Sequence, residues 1–192
     1  ILSQTSRESI RHVCKVINEQ DLWPLHVARV VAECAGLVAR RNKRFQLTRA
    51  GRELLPDDHA GALFRRLFLA YFRKFDLRYD FNLRDVPLIQ GSMAVILWRL
   101  DSVARDWTPV RGLAQQVLMR QVFEQLHAAM KSPYDKEEWI LGGYVLRPLL
   151  DLGLLERKSP SEWPGVTEKD EIRTSPVWRK FIHFEPWNGG AS

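Results

Sequence analysis

The sequence predicts a mainly α-helical protein with two short β-hairpins, in which a helix, hairpin and helix occur twice and a helical middle region joins the two copies. Apolar residues recur at helical spacing along most of the 192 residues. A glycine followed by a short strand pattern occurs at Gly36 and again at Gly153. The composition, 45% hydrophobic and 27% charged, is typical of a folded protein and excludes a disordered tail or a fibre.

The first copy begins with a helix predicted over residues 6–20, with Ser6 as its N-cap. A second helix starts near Pro24, which suits the first helical turn, and ends at Gly36, which suits a C-terminal cap. Residues 37–40 and 45–48 then read as two short strands joined by a tight polar turn. Asn42 is the turn residue best able to adopt a left-handed conformation. Thr48 is expected to cap a short helix over residues 49–55.

Residues 36–55, GLVARRNKRFQLTRAGRELL, resemble the wing segment of the winged-helix superfamily. The resemblance rests on an aliphatic-Thr-x-x-Gly-x-x-Leu signature, formed here by Leu47, Thr48, Gly51 and Leu54. The signature makes physical sense, since Thr48 can cap the helix and Gly51 lets that helix lie close to its neighbour. The resemblance implies tandem winged-helix-like units, in which the helix before the wing enters the major groove of a duplex and the wing contacts its backbone.

The second copy is expected over residues 138–182, with Gly153 matching Gly36 and Thr174 matching Thr48. The interval from Gly to Thr is 12 residues in the first copy and 21 in the second, which predicts a second wing about nine residues longer. Residues 156–171 of that wing include three basic and five acidic residues, so they should repel phosphate. We therefore expect the wing to fold over the protein or to bind a protein partner, with Trp163 as an apolar anchor.

The apolar spacing of the middle region predicts helices. Residues 60–75 carry a broad aromatic stripe, which is more often core than cofactor site, and residues 93–106 form the next predicted helix. A further helix is expected from Pro109 to Met130, with Thr108 as its cap. The expected domains are residues 1–78, the first winged-helix-like unit with its following helix, and residues 92–192, the helical region with the second unit.

Residues 107–158, from WTPVRGLAQQV to VLRPLLDLGLLERK, resemble the C-terminal helical half of an uncharacterised bacterial family first noticed as a plasmid open reading frame. The resemblance implies a bacterial origin and brings no catalytic or binding residues. Members of that family carry an additional N-terminal module. Because the first residue is Ile1, we expect a further region of the parent chain before it.

Several classes of protein are disfavoured. Cys14 and Cys34 are too few for a disulfide framework, which favours a reducing cytoplasm. No apolar run approaches the roughly 20 residues that span a bilayer, so no membrane partner is expected. The five histidines and two cysteines show no metal-ligand spacing. The sequence contains no Gly-rich phosphate loop and no nucleophile elbow. We therefore expect no metal, no cofactor and no enzymatic activity.

The net charge of +6 arises in the first half of the chain. Six basic residues fall within thirteen positions with no acidic residue among them, namely Arg40, Arg41, Lys43, Arg44, Arg49 and Arg52. On the hairpin, Leu37, Val38, Phe45 and Leu47 are expected to hold the strands to the core while the charges project outward. The predicted nucleic-acid site comprises Arg40, Arg41, Lys43, Arg44 and Arg49, with Arg29 and His26 from the preceding helix.

Two functions therefore compete. The first is binding of double-stranded nucleic acid through the basic wing. The second is a non-enzymatic protein-interaction module of a larger protein, since winged helices also pair with proteins through the same surfaces. The helix before the first wing offers only His26, Arg29 and Glu33 as polar side chains, a thin set for reading base edges. Its counterpart in the second copy is more apolar still and is expected to be buried or to bind protein.

Overall fold

The computed structural model describes residue 19 and residues 22–80, 87–130, 136–160 and 165–185. The described residues are mainly helical with short antiparallel hairpins, which confirms the predicted fold class. The chain divides into two compact units, residues 1–76 and residues 77–192, hereafter unit 1 and unit 2. From the sequence we expect a boundary in the loop near residues 78–92, or no sharp boundary if long helices bridge the two units. The helix predicted over residues 6–20 lies outside the described residues except for Glu19.

The described part of unit 1 consists of a helix, a hairpin and two further helices. These are α1 Trp23–Cys34, β1 Val38–Arg41, β2 Arg44–Leu47, α2 Arg49–Glu53, a 3-10 turn Asp57–His59 and α3 Ala60–Arg73. Pro24 lies in the first turn of α1, as its fixed φ predicts. Helix α1 packs against α3, and the core includes Val31 and Phe72. Part of the aromatic stripe of α3 is therefore core.

Unit 2 has more helices and a three-stranded sheet. Its elements are a 3-10 turn Leu77–Asp80, α4 Pro87–Gly91, α5 Met93–Val103, β3 Thr108–Pro109, α6 Leu113–Val117, α7 Arg120–Ala129, α8 Glu137–Leu141, a π-helical turn Gly142–Leu146, α9 Arg147–Asp151, β4 Leu155–Lys158, β5 Glu171–Thr174 and α10 Pro176–Phe181. The strand order is β3-β5-β4, and both pairs are antiparallel.

The helical segment before the second wing is buried, as its apolar sequence predicts. Ile140, Leu141, Tyr144, Val145 and Leu146 are all at most 1% exposed. Trp139, which precedes them, is exposed. Burial of this segment removes it as a surface that could read base edges.

The helix predicted from Pro109 to Met130 is wrong at its start and is not continuous. Thr108 and Pro109 form β3, with Thr108 opposite Ile172 and Pro109 opposite Glu171. Gly112 then adopts a left-handed φ of 76°, and α6 begins at Leu113. A proline that suits the first turn of a helix also suits a short edge strand, since it lacks only the amide N–H. Tertiary pairing with β5 decides between the two.

The same backbone hydrogen bonds occur in both units where a helix ends and its hairpin begins. The amide of Leu37 donates to the Ala32 carbonyl at 2.9 Å, and that of Leu154 donates to the Leu149 carbonyl at 2.8 Å. Gly36 and Gly153 both have a φ of 69°, so each helix ends in the left-handed conformation that glycine favours. The antiparallel strand pair expected after each glycine is present.

The cap residue of the second copy differs from the prediction by one position. The Thr48 hydroxyl donates to the Gly36 carbonyl at 2.7 Å, and the equivalent donor to Gly153 is the Ser175 hydroxyl, also at 2.7 Å. Thr174 is instead the last residue of β5, opposite Leu155. The glycine-to-cap interval is 12 residues in the first copy and 22 in the second. The second wing is therefore ten residues longer rather than nine.

The prediction that Phe45 and Leu47 hold the first hairpin to the core is also wrong. Phe45 is 45% exposed and Leu47 is 39% exposed, whereas Leu37 is buried. All four residues of β2 are exposed. The hairpin has only two strands in the described residues, and its neighbours cover the two side chains in part: the Arg29 guanidinium lies 4.7 Å from the centre of the Phe45 ring, and a methyl of Leu47 lies near Gly51.

Candidate nucleic-acid interface

The tip of the first wing, residues 38–47, is a two-residue turn that presents basic side chains. Asn42 and Lys43 both have positive φ values, 49° and 61°, which identify a type I′ turn. Arg41 lies opposite Arg44 across the strand pair. Arg40, Arg41, Lys43 and Arg44 are all exposed. The turn thus holds four positive charges together at the end of a hairpin.

Three of these charges have no counter-charge nearby. Among the described residues, no carboxylate forms an ion pair with Arg41, Lys43 or Arg44. The guanidinium of Arg40 lies 5.9 Å from the centre of the Phe45 ring, which is a cation–π distance. Like charges this close raise one another's energy, and a polyanion relieves that repulsion. The electrostatic potential of these exposed charges therefore favours an anion at the wing tip.

The two basic residues at the base of the wing are tied to the protein. The Arg49 guanidinium donates to Glu53 at 2.8 Å along α2. The Arg52 guanidinium donates to the Leu47 carbonyl at 2.8 Å. Both arginines remain exposed, so their positive charges still add to the field of the wing. Arg49 is nevertheless partly neutralised, unlike the tip residues.

The two candidate residues on α1 belong to an internal ion network. His26 is only 4% exposed, and its Nδ1 lies 2.8 Å from Glu19 Oε1. The Arg29 guanidinium donates to the same Glu19 oxygen at 2.5 Å and also to Glu33. The hydrogen bond from Arg29 lowers the pKa of Glu19, against partial desolvation and with help from His26. The structure therefore places both side chains against acidic partners, and the Arg29 guanidinium also lies 4.7 Å from the centre of the Phe45 ring on β2.

The exposed face of α1 is apolar. Leu25 is 56% exposed, and Trp23, Pro24 and Ala28 are also exposed. None of these side chains carries the Arg, Lys, Asn or Gln group that reads base edges in the major groove. The helix can lie against a groove or a partner, but it offers no hydrogen-bond code for a base sequence.

The second wing, residues 155–174, folds back over unit 2 where it is described. Val166 is buried, and it packs where a side chain on Gly142 would stand, 3.3 Å from the Val166 Cβ. The Arg157 guanidinium donates to the Gly165 carbonyl at 2.9 Å. Lys136 donates to Glu168 at 2.6 Å, and this contact lowers the pKa of Glu168. This agrees with the expectation that the wing folds over the protein. Trp163 lies outside the described residues.

Sequence reasoning missed the edge of β2 as a surface. The hydrophobicity of Phe45 and Leu47 predicted burial, because the pattern of a strand does not reveal whether a neighbour covers it. The repeat gave no signal for this surface, since β3, the strand that flanks β5 in the second copy, was itself predicted as the start of a helix.

The described residues contain neither a cluster of metal-ligating side chains nor a membrane-spanning helix. Within the described part of the chain, no group of three or more His, Cys, Asp or Glu residues has the arrangement of a metal site. Over the same residues, no helix combines the length and hydropathy needed to cross a bilayer.

Residues 3–62 match the family model described as the Y4jL N-terminal domain. This match includes α1, both strands of the first wing, α2 and the start of α3. No curated protein and no solved structure matches the chain significantly.

Proposed function

We propose that this protein binds double-stranded nucleic acid through the first wing, without reading base sequence and without enzymatic activity. The observation that carries the proposal is the exposed cluster Arg41, Lys43 and Arg44, which has no carboxylate partner among the described residues. A duplex carries a dense row of phosphates, and basic side chains that contact them release counterions. This supplies affinity without any base contact.

The side chains of α1 explain why we expect the protein not to distinguish base sequences. His26 and Arg29 are occupied by Glu19 and Glu33, and the exposed face of the helix is apolar. Phosphate contacts position a protein on a duplex, whereas base contacts specify the sequence. A wing that contacts phosphate beside a helix without base-reading groups should bind all duplexes with similar affinity.

The test is a salt titration of binding to a labelled random-sequence duplex. The variant carries Arg41→Ala, Lys43→Ala and Arg44→Ala together. We expect lower affinity and a salt dependence flatter by about 2 to 3 units of slope, because each lost phosphate contact removes about 0.9. Stability should hardly change, since exposed charges contribute little to folding.

A matched control separates local contacts from net charge. Arg65→Ala, Arg73→Ala and Lys74→Ala remove the same number of positive charges from exposed positions at α3 and its end. We expect the control to keep most of the salt dependence. Equal losses in both variants would refute the wing as the site, and an unchanged slope in the wing variant would do so as well.

The alternative function, a protein-interaction module, is favoured by one observation. Apolar side chains are exposed on α1 and β2, namely Leu25, Phe45 and Leu47. Exposed apolar patches bordered by polar residues are typical of protein interfaces. If the parent protein shows no duplex binding at low salt, this function replaces the first.

A further inference from the structure

The outer edge of β2 has free backbone groups. In a two-residue hairpin the residues that flank the turn, Arg41 and Arg44, exchange hydrogen bonds, and bonded pairs then alternate along the strands. The amide of Thr48 indeed donates to the Leu37 carbonyl at 2.9 Å. The amides of Phe45 and Leu47 therefore point away from β1. No described residue lies beside them as a third strand.

The equivalent edge of unit 2 is occupied. Phe45 corresponds to Ile172 and Leu47 to Thr174, because both hairpins are aligned by their cap residues. Ile172 lies opposite Thr108 of β3, and the Thr174 amide donates to the Ala104 carbonyl at 2.7 Å. Ile172 is 0% exposed and Thr174 is 5% exposed. The same outward backbone groups are thus paired in unit 2, whereas no strand among the described residues pairs with them in unit 1.

We propose that the outer edge of β2 binds an extended peptide as a third, antiparallel strand. The partner is a segment with apolar residues at alternate positions, which cover Phe45 and Leu47, and with carboxylates at its ends. The internal precedent is β3, which pairs antiparallel with β5 at the equivalent edge. Strand addition of this kind takes its affinity from backbone hydrogen bonds and its specificity from alternate side chains.

The charges around the edge determine the chemistry of the partner. Arg44 starts β2, and Arg52 lies beside its end through the bond to the Leu47 carbonyl. Carboxylates on the peptide meet both guanidinium groups. A second copy of this chain is disfavoured as the occupant, because edge-to-edge pairing would bring two basic wings together.

This proposal goes beyond nucleic-acid binding, since it uses the backbone edge of β2 and, among the charges at the tip, only Arg44. The probe is an N-acetylated, C-amidated peptide, Asp-Val-Thr-Val-Thr-Val-Glu. The control peptide replaces the three valines by proline and keeps the charge, but it lacks the amides that face β2 and cannot form the ladder. The measurement is residue-resolved amide hydrogen exchange with the full chain.

We expect the Phe45 and Leu47 amides to exchange about tenfold more slowly when the peptide is present at about ten times its Kd, because only the unbound fraction exchanges. The proline peptide should give no protection at these two amides. Binding without their protection, or no binding of the probe, would overturn the proposal.

Three variants complete the design. Leu47→Ser should weaken peptide binding, whereas Leu55→Ser, at a leucine that is 57% exposed outside the edge, should leave it unchanged. The variant Arg41→Ala, Lys43→Ala, which keeps Arg44, should weaken duplex binding and still show protection of both amides by the peptide. The two proposals can therefore fail separately.

Discussion

At the scale of single residues, Gly51 shows how one position fixes the base of the first wing. A Cβ at Gly51 would stand 2.2 Å from the Leu37 carbonyl oxygen and 3.3 Å from a methyl of Leu47. No side chain can occupy that space without moving the backbone of the chain before β1. The glycine of the winged-helix signature is therefore explained here by close approach of α2 to residue 37.

Gly51→Ala should lower the free energy of unfolding of unit 1 by about 1 to 3 kcal/mol, the usual cost of overpacking. The matched control is Gly61→Ala, where an added Cβ meets nothing within 4 Å. Since alanine favours helix, the control should be neutral or stabilising by up to about 1 kcal/mol. Chemical denaturation of both variants measures this. Equal stabilities would show that the structure misplaces α2.

Residue type alone could identify the wing charges but not their partners. The unpaired state of Arg41, Lys43 and Arg44 agrees with a basic run that lacks acids in the sequence. The ion pair between Arg29 and Glu33 can be inferred from the sequence, because residues four apart on a helix are neighbours. The contacts of Glu19 with His26 and Arg29 could not be predicted, because Glu19 precedes α1. Its distance from the two side chains depends on how the chain enters the helix.

At the scale of elements, the two hairpins are best compared through their cap residues. Thr48 and Ser175 each donate to the carbonyl of the left-handed glycine and each accept from the next helix, from Gly51 and from Val177 and Trp178 respectively. One hydroxyl therefore joins the end of one helix to the start of the next in both units. The sequence offered two adjacent hydroxyl residues, Thr174 and Ser175, and only the register of β5 distinguishes them.

Thr48→Ala and Ser175→Ala should each destabilise their own unit by about 1 kcal/mol, within the range of 0.5 to 2 known for N-caps. The control is Ser102→Ala on α5, whose hydroxyl contacts the Trp98 carbonyl at 3.4 Å in an exposed position. It should have little effect, because a serine inside a helix gains little from bonding backward. Thermal unfolding followed in each unit measures all three. A larger loss for Thr174→Ala than for Ser175→Ala would contradict the structural alignment of the copies.

Strand β3 illustrates why elements could be predicted only in part. Helices with several turns, such as α3 and α5, follow from apolar spacing, and the β1 to β2 hairpin follows from its turn. A strand of two residues has no periodicity to detect, and Thr108 followed by Pro109 is also a helix-start signal. Only pairing with Ile172 and Glu171, more than sixty positions away in the chain, makes it a strand.

At the scale of the whole molecule, charge is divided between the units. Unit 1 carries 14 Lys and Arg against 8 Asp and Glu, whereas unit 2 carries 15 of each. The entire net charge of +6 therefore belongs to unit 1. The two units share a hairpin architecture and differ in what that hairpin offers: a basic tip and an open edge in unit 1, an acidic wing and an occupied edge in unit 2.

This division of charge predicts which amides a bound polyanion protects from hydrogen exchange. With a random-sequence duplex added at low salt, amide hydrogen exchange should slow at the first wing, residues 38–47, and should not change at β4 and β5. The reason is electrostatic, since phosphate is attracted to Arg41 and Lys43, which have no carboxylate partner among the described residues, whereas the net negative charge of residues 156–171 repels it. Raising the salt concentration should abolish the protection, because the counterion release that favours binding weakens. Protection of β4 and β5 instead would transfer duplex binding to unit 2, and its persistence in high salt would point to apolar contacts at α1 in place of phosphate contacts at the wing.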